Sequence, residues 1–324
     1  MFLPMWSLIL VFLAMGLTTR IVLSSLDKLA SDLTWKGKTV LATVLIALST
    51  SLPELFITIG SVLVKKPEFA LGTILGSNLA DLSIILGGAT LLAGSLSIIG
   101  DYWRWELAAT FMAGVAPILL MMDGRLSRID GLILIVIYLI YLSELVVDSK
   151  KKHLVKMGTA GIGLLLRFRN KNESRLESVL KILVGLFLMM VCGVLTVNLG
   201  IGLASEWGMS LGLIGLLVVS IGTTIPELFV SAEAIWKKKV ALVLGNILGN
   251  IISNATLIVG LLALIHPFGV EKVENYALAN IGFVLIFGLF WMFTSTKKKL
   301  ERWEGLILLG LFLTFVGISL MFPF

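Results

Sequence analysis

A gapless internal duplication constrains this chain more than any other feature of its sequence. Residues 47–87 and 220–260 align at a constant offset of 173 positions, and 14 of the 41 aligned positions are identical. Each copy contains a Pro-Glu pair in one apolar segment and a Gly-x-x-x-Gly pattern in the next. A fold that accommodates this chain must therefore hold the same polar unit twice.

The composition predicts that both copies lie in a membrane. The 324 residues are 58% hydrophobic and 14% charged, with a mean hydropathy of +1.03, whereas soluble domains carry about 25% charged residues. Windows of about 20 apolar residues predict ten transmembrane helices. They lie near residues 2–24, 39–64, 69–97, 104–122, 129–147, 178–204, 210–236, 241–266, 276–295 and 303–323. We therefore predict an all-α polytopic membrane protein.

Ten spans divide into two halves of five helices. Because five is odd, the second half enters the membrane from the opposite side, which is typical of inverted-topology repeats whose sites lie near the midplane. We predict a first five-helix repeat over residues 1–149, a basic cytoplasmic connecting loop over 150–177, and a second five-helix repeat over 178–324.

Lysine and arginine predict the orientation of the chain in a cell membrane. When each is assigned to the nearest loop, 21 of the 26 belong to odd-numbered loops. Positive residues are retained on the cytoplasmic side, so both termini are predicted to be extracytoplasmic. The net charge of +6 is thus a topology signal and does not indicate a nucleic-acid partner.

Each Pro-Glu pair combines a helix break with an intramembrane acid. Proline lacks an N–H and clashes with the carbonyl four residues back, so Pro53 and Pro226 predict kinked or unwound backbone. Unsatisfied carbonyls are tolerated at membrane depth only where they line a cavity or meet a ligand. Glu54 and Glu227 follow directly, and an intramembrane charge marks a functional pathway by default.

The segment after each acid adds further oxygen-bearing side chains. Gly-x-x-x-Gly lets helices approach closely, and the polar residues that follow in the two copies are Ser77, Asn78, Asp81, Asn250, Ser253 and Asn254. No His or Cys accompanies them, which disfavours copper or zinc. Carboxylates, carbonyls, hydroxyls and amides favour a hard cation such as calcium or sodium. A single buried acid could be structural, but corresponding acids in a gapless duplicate favour cation binding.

These motifs resemble the two alpha repeats of the sodium/calcium exchanger branch of the calcium/cation antiporter superfamily. The resemblance rests on Thr-Ser-Leu-Pro-Glu with Gly-Ser-Asn-Leu-Ala-Asp in one copy, and on Thr-Thr-Ile-Pro-Glu with Gly-Asn-Ile-Ile-Ser-Asn in the other. It implies that Glu54 and Glu227 are the central calcium ligands, joined by Thr50 and Thr223.

The resemblance also implies sodium sites and flanking positions. The sodium-binding set is Ala47, Ser51, Glu54, Ser77, Asp81, Ser220, Thr223, Thr224 and Glu227, with Asn78, Asn250 and Asn254 flanking it and Glu54, Glu227 and Asp81 as the metal-binding acids. Asp81 and Asn254 are exchanged relative to well-known prokaryotic members, and Thr224 and Asn250 stand where Ser is usual.

The implied function is a secondary antiporter that exchanges sodium for calcium by alternating access. A proton/calcium antiporter is an alternative because carboxylates carry protons as readily as they bind sodium. A cation channel is disfavoured by the inverted duplication, and an intramembrane enzyme by the lack of an activated nucleophile. No cofactor is expected, and the expected partners are calcium and sodium ions and the lipid bilayer, with no obligatory protein partner.

Overall fold

The computed structural model describes residues 2–31, 51–97, 102–147, 174–236, 240–270 and 274–321. Most of these residues are helical. The α-helices are α1 (Phe2–Ser31), α2 (Leu52–Leu63), α3 (Pro67–Ala80), α4 (Leu86–Ala93), α5 (Tyr102–Leu120), α6 (Arg128–Val147), α7 (Arg175–Trp207), α8 (Leu211–Ile214), α9 (Ser220–Trp236), α10 (Val240–Ile252), α11 (Val259–Ile265), α12 (Glu274–Lys297) and α13 (Arg302–Met321).

Three π-helical turns interrupt this pattern. They are π1 (Asp81–Ile85) between α3 and α4, π2 (Gly215–Val219) between α8 and α9, and π3 (Ser253–Ile258) between α10 and α11. π1 and π3 begin at pseudo-equivalent places in the two copies of the repeat, and both fall at the polar residues that follow the Gly-x-x-x-Gly pattern. Such single turns widen a helix locally and are frequent at functional sites.

Seven helices of the described residues are long and apolar enough to cross a membrane, and an eighth is counted if one bent pair forms a single span. The predicted polytopic helical architecture is therefore confirmed, whereas the number ten is not. The helix α2 is apolar but has only 12 residues, and the preceding residues 32–50 lie outside the described part of the chain.

Two short β ladders depart from the predicted all-α fold. β1 (Ser95–Ser97) pairs antiparallel with β4 (Lys299–Glu301), and β2 (Arg125–Leu126) pairs antiparallel with β3 (Phe268–Gly269). Backbone N–H and C=O groups beyond the end of a helix need partners, and the ladders supply them. Each ladder links one half of the sequence to the other.

The two halves pack through close backbone contacts at glycine. A Cβ at Gly72 would lie 2.0 Å from the carbonyl oxygen of Gly212, and one at Gly76 would lie 2.2 Å from that of Leu216. The first Gly-x-x-x-Gly therefore presses α3 against the α8–π2 segment. For the second pattern, no atom of the described residues lies within 4 Å of a Cβ built at Gly245.

A second pair of contacts follows the sequence repeat. A Cβ at Gly87 on α4 would lie 2.8 Å from the carbonyl oxygen of Gly305 on α13, and one at Gly131 on α6 would lie 2.7 Å from that of Gly260 on α11. Gly87 and Gly260 are separated by the repeat offset of 173. The same helix pairing thus occurs in both halves, as expected for a duplicated unit.

Candidate cation site

The first acid lies at the start of α2. Pro53 occupies the first turn of this helix, where its missing N–H would have no intrahelical acceptor in any case. The backbone N–H of Leu55 donates to the carbonyl of Ser51 at 2.9 Å, so the helix is closed from Ser51 onward. Glu54 is only 1% exposed. Ala47 and Thr50, predicted as ligands, lie outside the described residues.

The second acid lies at a bend in α9. The segments Leu211–Ile225 and Glu227–Trp236 are inclined by 40° to each other, and Pro226 is the residue between them. Glu227 is buried, as are the preceding Thr223 and Thr224. The carboxyl oxygens of Glu227 lie 3.3 and 3.4 Å from Asn250 Nδ2 on α10.

The threonine hydroxyls near this bend are held by one carbonyl. Thr223 Oγ1 and Thr224 Oγ1 both donate to the carbonyl oxygen of Ser220, at 3.0 and 2.6 Å. A hydroxyl that donates its hydrogen to the backbone keeps its lone pairs available. Both threonines can therefore still offer oxygen to a cation. The Ser220 hydroxyl itself donates to the carbonyl of Leu216 at 2.5 Å.

Contacts around Glu54 cross between the two halves of the sequence. Ser77 Oγ lies 3.4 Å from Glu54 Oε1 and 3.3 Å from Thr223 Oγ1. Ser77 belongs to α3 and Thr223 to α9, so three separate helices meet at this point. Each of the three side chains is at most 3% exposed.

Contacts around Glu227 are centred on Asn250. Its Nδ2 donates to Asp81 Oδ2 at 2.6 Å and to Glu227 Oε1 at 3.3 Å, and its Oδ1 accepts from Ser51 Oγ at 2.5 Å. A neighbouring bond runs from Asn254 Nδ2 to Asn78 Oδ1 at 3.3 Å. Asp81 and Asn254, an equivalent pair at which an acid in one copy is an amide in the other, thus lie in the same polar layer.

Several buried oxygens of this layer have unused acceptor capacity. Glu54 Oε2, Asp81 Oδ1 and Asn254 Oδ1 have no hydrogen-bond partner and no solvent contact. Buried polar atoms in native proteins are almost always satisfied, and an unpaired carboxylate oxygen is costly to bury. A bound cation would satisfy all three.

The described residues contain no group of three or more His, Cys, Asp or Glu side chains with the geometry to hold a metal ion. Neutral oxygens in the same layer include the buried hydroxyls of Ser51, Ser77, Thr223 and Thr224, and calcium and sodium both accept such ligands.

A buried acid outside the repeat motifs was missed by the sequence reasoning. Glu106, near the start of α5, is 3% exposed and accepts a hydrogen bond of 2.7 Å from the hydroxyl of Tyr141 on α6. Glu106 is the only acid inside the predicted span 104–122, and this feature of the sequence could have indicated that it is a buried polar residue. Tyr138, one turn from Tyr141, is also buried, and its hydroxyl faces that of the buried Ser253 at the start of π3.

The sequence is similar to that of known membrane proteins. The family model "Sodium/calcium exchanger protein" matches residues 3–147 and 177–321. The inner membrane protein YrbG of Escherichia coli is 26% identical over 279 residues, which cover 84% of this chain and 83% of YrbG.

The fold is similar to that of two solved exchangers. The sodium-calcium exchanger NCX_Mj gives a TM-score of 0.61 at 24% identity, covering 98% of this chain and 97% of that chain. The H+/Ca2+ exchanger CAX gives a TM-score of 0.67 at 17% identity, covering 99% and 82%. These likenesses extend over the whole chain and show a shared fold. Because the family model matches both halves, including both Pro-Glu motifs, the chain belongs to the sodium/calcium exchanger protein family.

Proposed function

We propose that this chain is a secondary active antiporter that exchanges sodium for calcium across the membrane. The proposal rests on one observation: acids from opposite halves of the sequence meet hydroxyl and amide oxygens in one buried layer, and some of their oxygens are unpaired. Glu54 comes from α2 and Glu227 from α9, and Ser77 and Asn250 link them to the other half. Membership of an exchanger family supports it.

Competition for the same oxygens would couple the two fluxes. Calcium requires 6–8 oxygen ligands, and we assign the carboxylates of Glu54 and Glu227 and oxygens of Thr50 and Thr223 to it. Sodium ions use overlapping ligands, so the two substrates exclude each other. A buried pair of carboxylates is stable only when a cation compensates its charge, and we infer that only the loaded site changes its access between the two sides.

The test is calcium uptake by proteoliposomes loaded with sodium. Glu54→Gln and Glu227→Gln each remove one carboxylate charge with little change of shape, and uptake should fall to background in both. Glu206→Gln makes the same chemical change at an exposed residue near the end of α7 and should retain uptake. Full activity of the first two variants would overturn the site assignment.

One observation favours proton/calcium exchange as a second candidate. Asp81 and Glu227 share the single amide nitrogen of Asn250, and adjacent carboxyl groups readily hold a proton between them. The same proteoliposomes decide between the two coupling ions. Uptake driven by sodium at equal pH supports the first function, whereas uptake driven by a pH gradient without sodium supports the second.

A further inference from the structure

One of the equivalent positions at which the two halves of the site differ lies directly beside the glutamates. Ser77 and Asn250 are separated by the repeat offset of 173, and each lies beside the glutamate of its own half. Ser77 Oγ is 3.4 Å from Glu54 Oε1, and Asn250 Nδ2 is 3.3 Å from Glu227 Oε1. Both side chains are 1% exposed. A hydroxyl in one half is thus replaced by an amide in the other.

The orientation of the Asn250 amide is determined by its neighbours. One end faces two carboxylates, Asp81 and Glu227, and the other end accepts from the hydroxyl of Ser51. Only the NH2 group can donate to carboxylates, and only the amide oxygen can accept from a hydroxyl. The reverse orientation would place the amide oxygen against the oxygens of two carboxylates, so ionised carboxylates favour the orientation in which the NH2 group faces Asp81 and Glu227.

This orientation decides what the amide can do in the site. An NH2 group has two donors and no lone pair for a cation, and it lies within hydrogen-bonding distance of both Asp81 Oδ2 and Glu227 Oε1. A serine hydroxyl in the same place could donate to a carboxylate or turn its lone pairs toward an ion. In the first half of the site, the Ser77 hydroxyl can either donate to a carboxylate or present a lone pair to an ion. Glu54 Oε2 in the same half has no hydrogen-bond partner. The Asn250 side has a donor fixed where a bridging cation would lie.

We propose that Asn250 is a specificity-determining residue whose amide NH2 takes the place of one monovalent cation between Asp81 and Glu227. The chain then binds one sodium ion fewer than it would with a hydroxyl at position 250. The inference rests on the proposed function in that it takes sodium as a substrate of this site.

Counting bound ions tests the inference without requiring transport. Purified protein in detergent is equilibrated with radiolabelled sodium, and the bound ions per protein are measured for wild type, Asn250→Ser and Asn250→Ala. Both variants remove the NH2 group, so both should bind about one more sodium ion, because adjacent buried carboxylates need a compensating charge. The Hill coefficient for displacement of calcium by sodium should rise in parallel.

The controls separate this inference from loss of structure and from the proposed function. Asn198→Ser makes the same change at an exposed residue of α7, where the amide donates to the carbonyl of Val194, and its sodium count should equal that of wild type. Size-exclusion profiles establish that each variant is folded, and Asn250→Ala provides the test if Asn250→Ser does not fold. Unchanged counts in the folded Asn250 variants overturn the inference. A wild-type protein that binds calcium but no sodium overturns the sodium coupling of the proposed function instead.

Discussion

The number of oxygen ligands that the candidate site can offer to a cation depends on single hydroxyl groups, and Thr223 carries one of them. Thr223 donates to the backbone carbonyl of Ser220 and also lies 3.3 Å from Ser77 Oγ. The Thr223 hydroxyl is also within hydrogen-bonding reach of the Glu54 carboxyl group. Thr223 therefore both stabilises the helix backbone at Ser220 and is a candidate ligand for a cation. Loss of the first role would lower the stability of the protein, whereas loss of the second would weaken cation binding.

Thr223→Val should weaken calcium binding by about tenfold, since one polar contact to a charged group is worth about 1.5 kcal/mol. Isothermal titration of the purified protein with calcium measures this change. Thr196→Val is the matched control, because Thr196 is also fully buried and its hydroxyl donates to the carbonyl of Cys192 on α7 and not to a group of the repeat motifs. Equal losses in both variants would contradict a ligand role for Thr223.

Two tyrosines one turn apart on α6 allow a comparison of a hydroxyl that meets a buried carboxylate with one that meets another hydroxyl. Tyr141→Phe removes a 2.7 Å bond to the buried carboxylate of Glu106 and should lower the free energy of unfolding by about 1–3 kcal/mol. Tyr138→Phe removes a hydroxyl that faces the neutral hydroxyl of Ser253 and should cost less, because hydrogen bonds to charged groups are the stronger ones. Thermal unfolding in detergent measures both, and a larger loss for Tyr138→Phe would contradict the assigned bonding.

At the level of elements, helix contacts at glycine fix the depth at which the polar side chains meet. Gly72 lies against the backbone of Gly212, and this contact fixes the position of α3, which carries Ser77 and Asn78.

Gly72→Ala should force α3 and α8 apart and cost about 1–3 kcal/mol of stability. Gly288→Ala on α12 is the control, because an added Cβ there meets nothing within 4 Å. The melting temperature of Gly72→Ala should be clearly lower than that of Gly288→Ala, and equal melting temperatures would contradict the close packing at Gly72.

The sequence predicted part of this site and could not predict the rest. The duplication identified Glu54 and Glu227, because an acid beside a proline in an apolar segment is costly and its repetition is informative. The π-helical turns π1 and π3 were not predictable, since their extra residue is accommodated by tertiary packing. The bonds of Asn250 were not predictable either, because Ser51 immediately before α2, Asp81 of π1 and Glu227 of α9 are brought to it only in the folded chain.

At the level of the whole molecule, the two β ladders bear on the topology. β1–β4 joins the last residues of the third predicted span, next to the third loop, to the loop between the ninth and tenth spans. β2–β3 joins the loop between the fourth and fifth spans to the segment after the eighth. Ten spans place the first pair of segments in odd loops and the second pair in even loops. Each ladder therefore connects segments that the predicted topology assigns to one side of the membrane.

Labelling of single cysteines tests this arrangement. In a Cys192→Ser background, which removes the only cysteine, Lys299→Cys and Arg125→Cys place a thiol at side chains that are 45% and 71% exposed. Because positive residues are retained in the cytoplasm, a membrane-impermeant maleimide should label Lys299→Cys only in inside-out vesicles and Arg125→Cys only in right-side-out vesicles. Labelling of both from one side would contradict the inverted repeat. An exchange of the two sides would reverse the predicted orientation, placing both termini in the cytoplasm, and would leave the repeat intact.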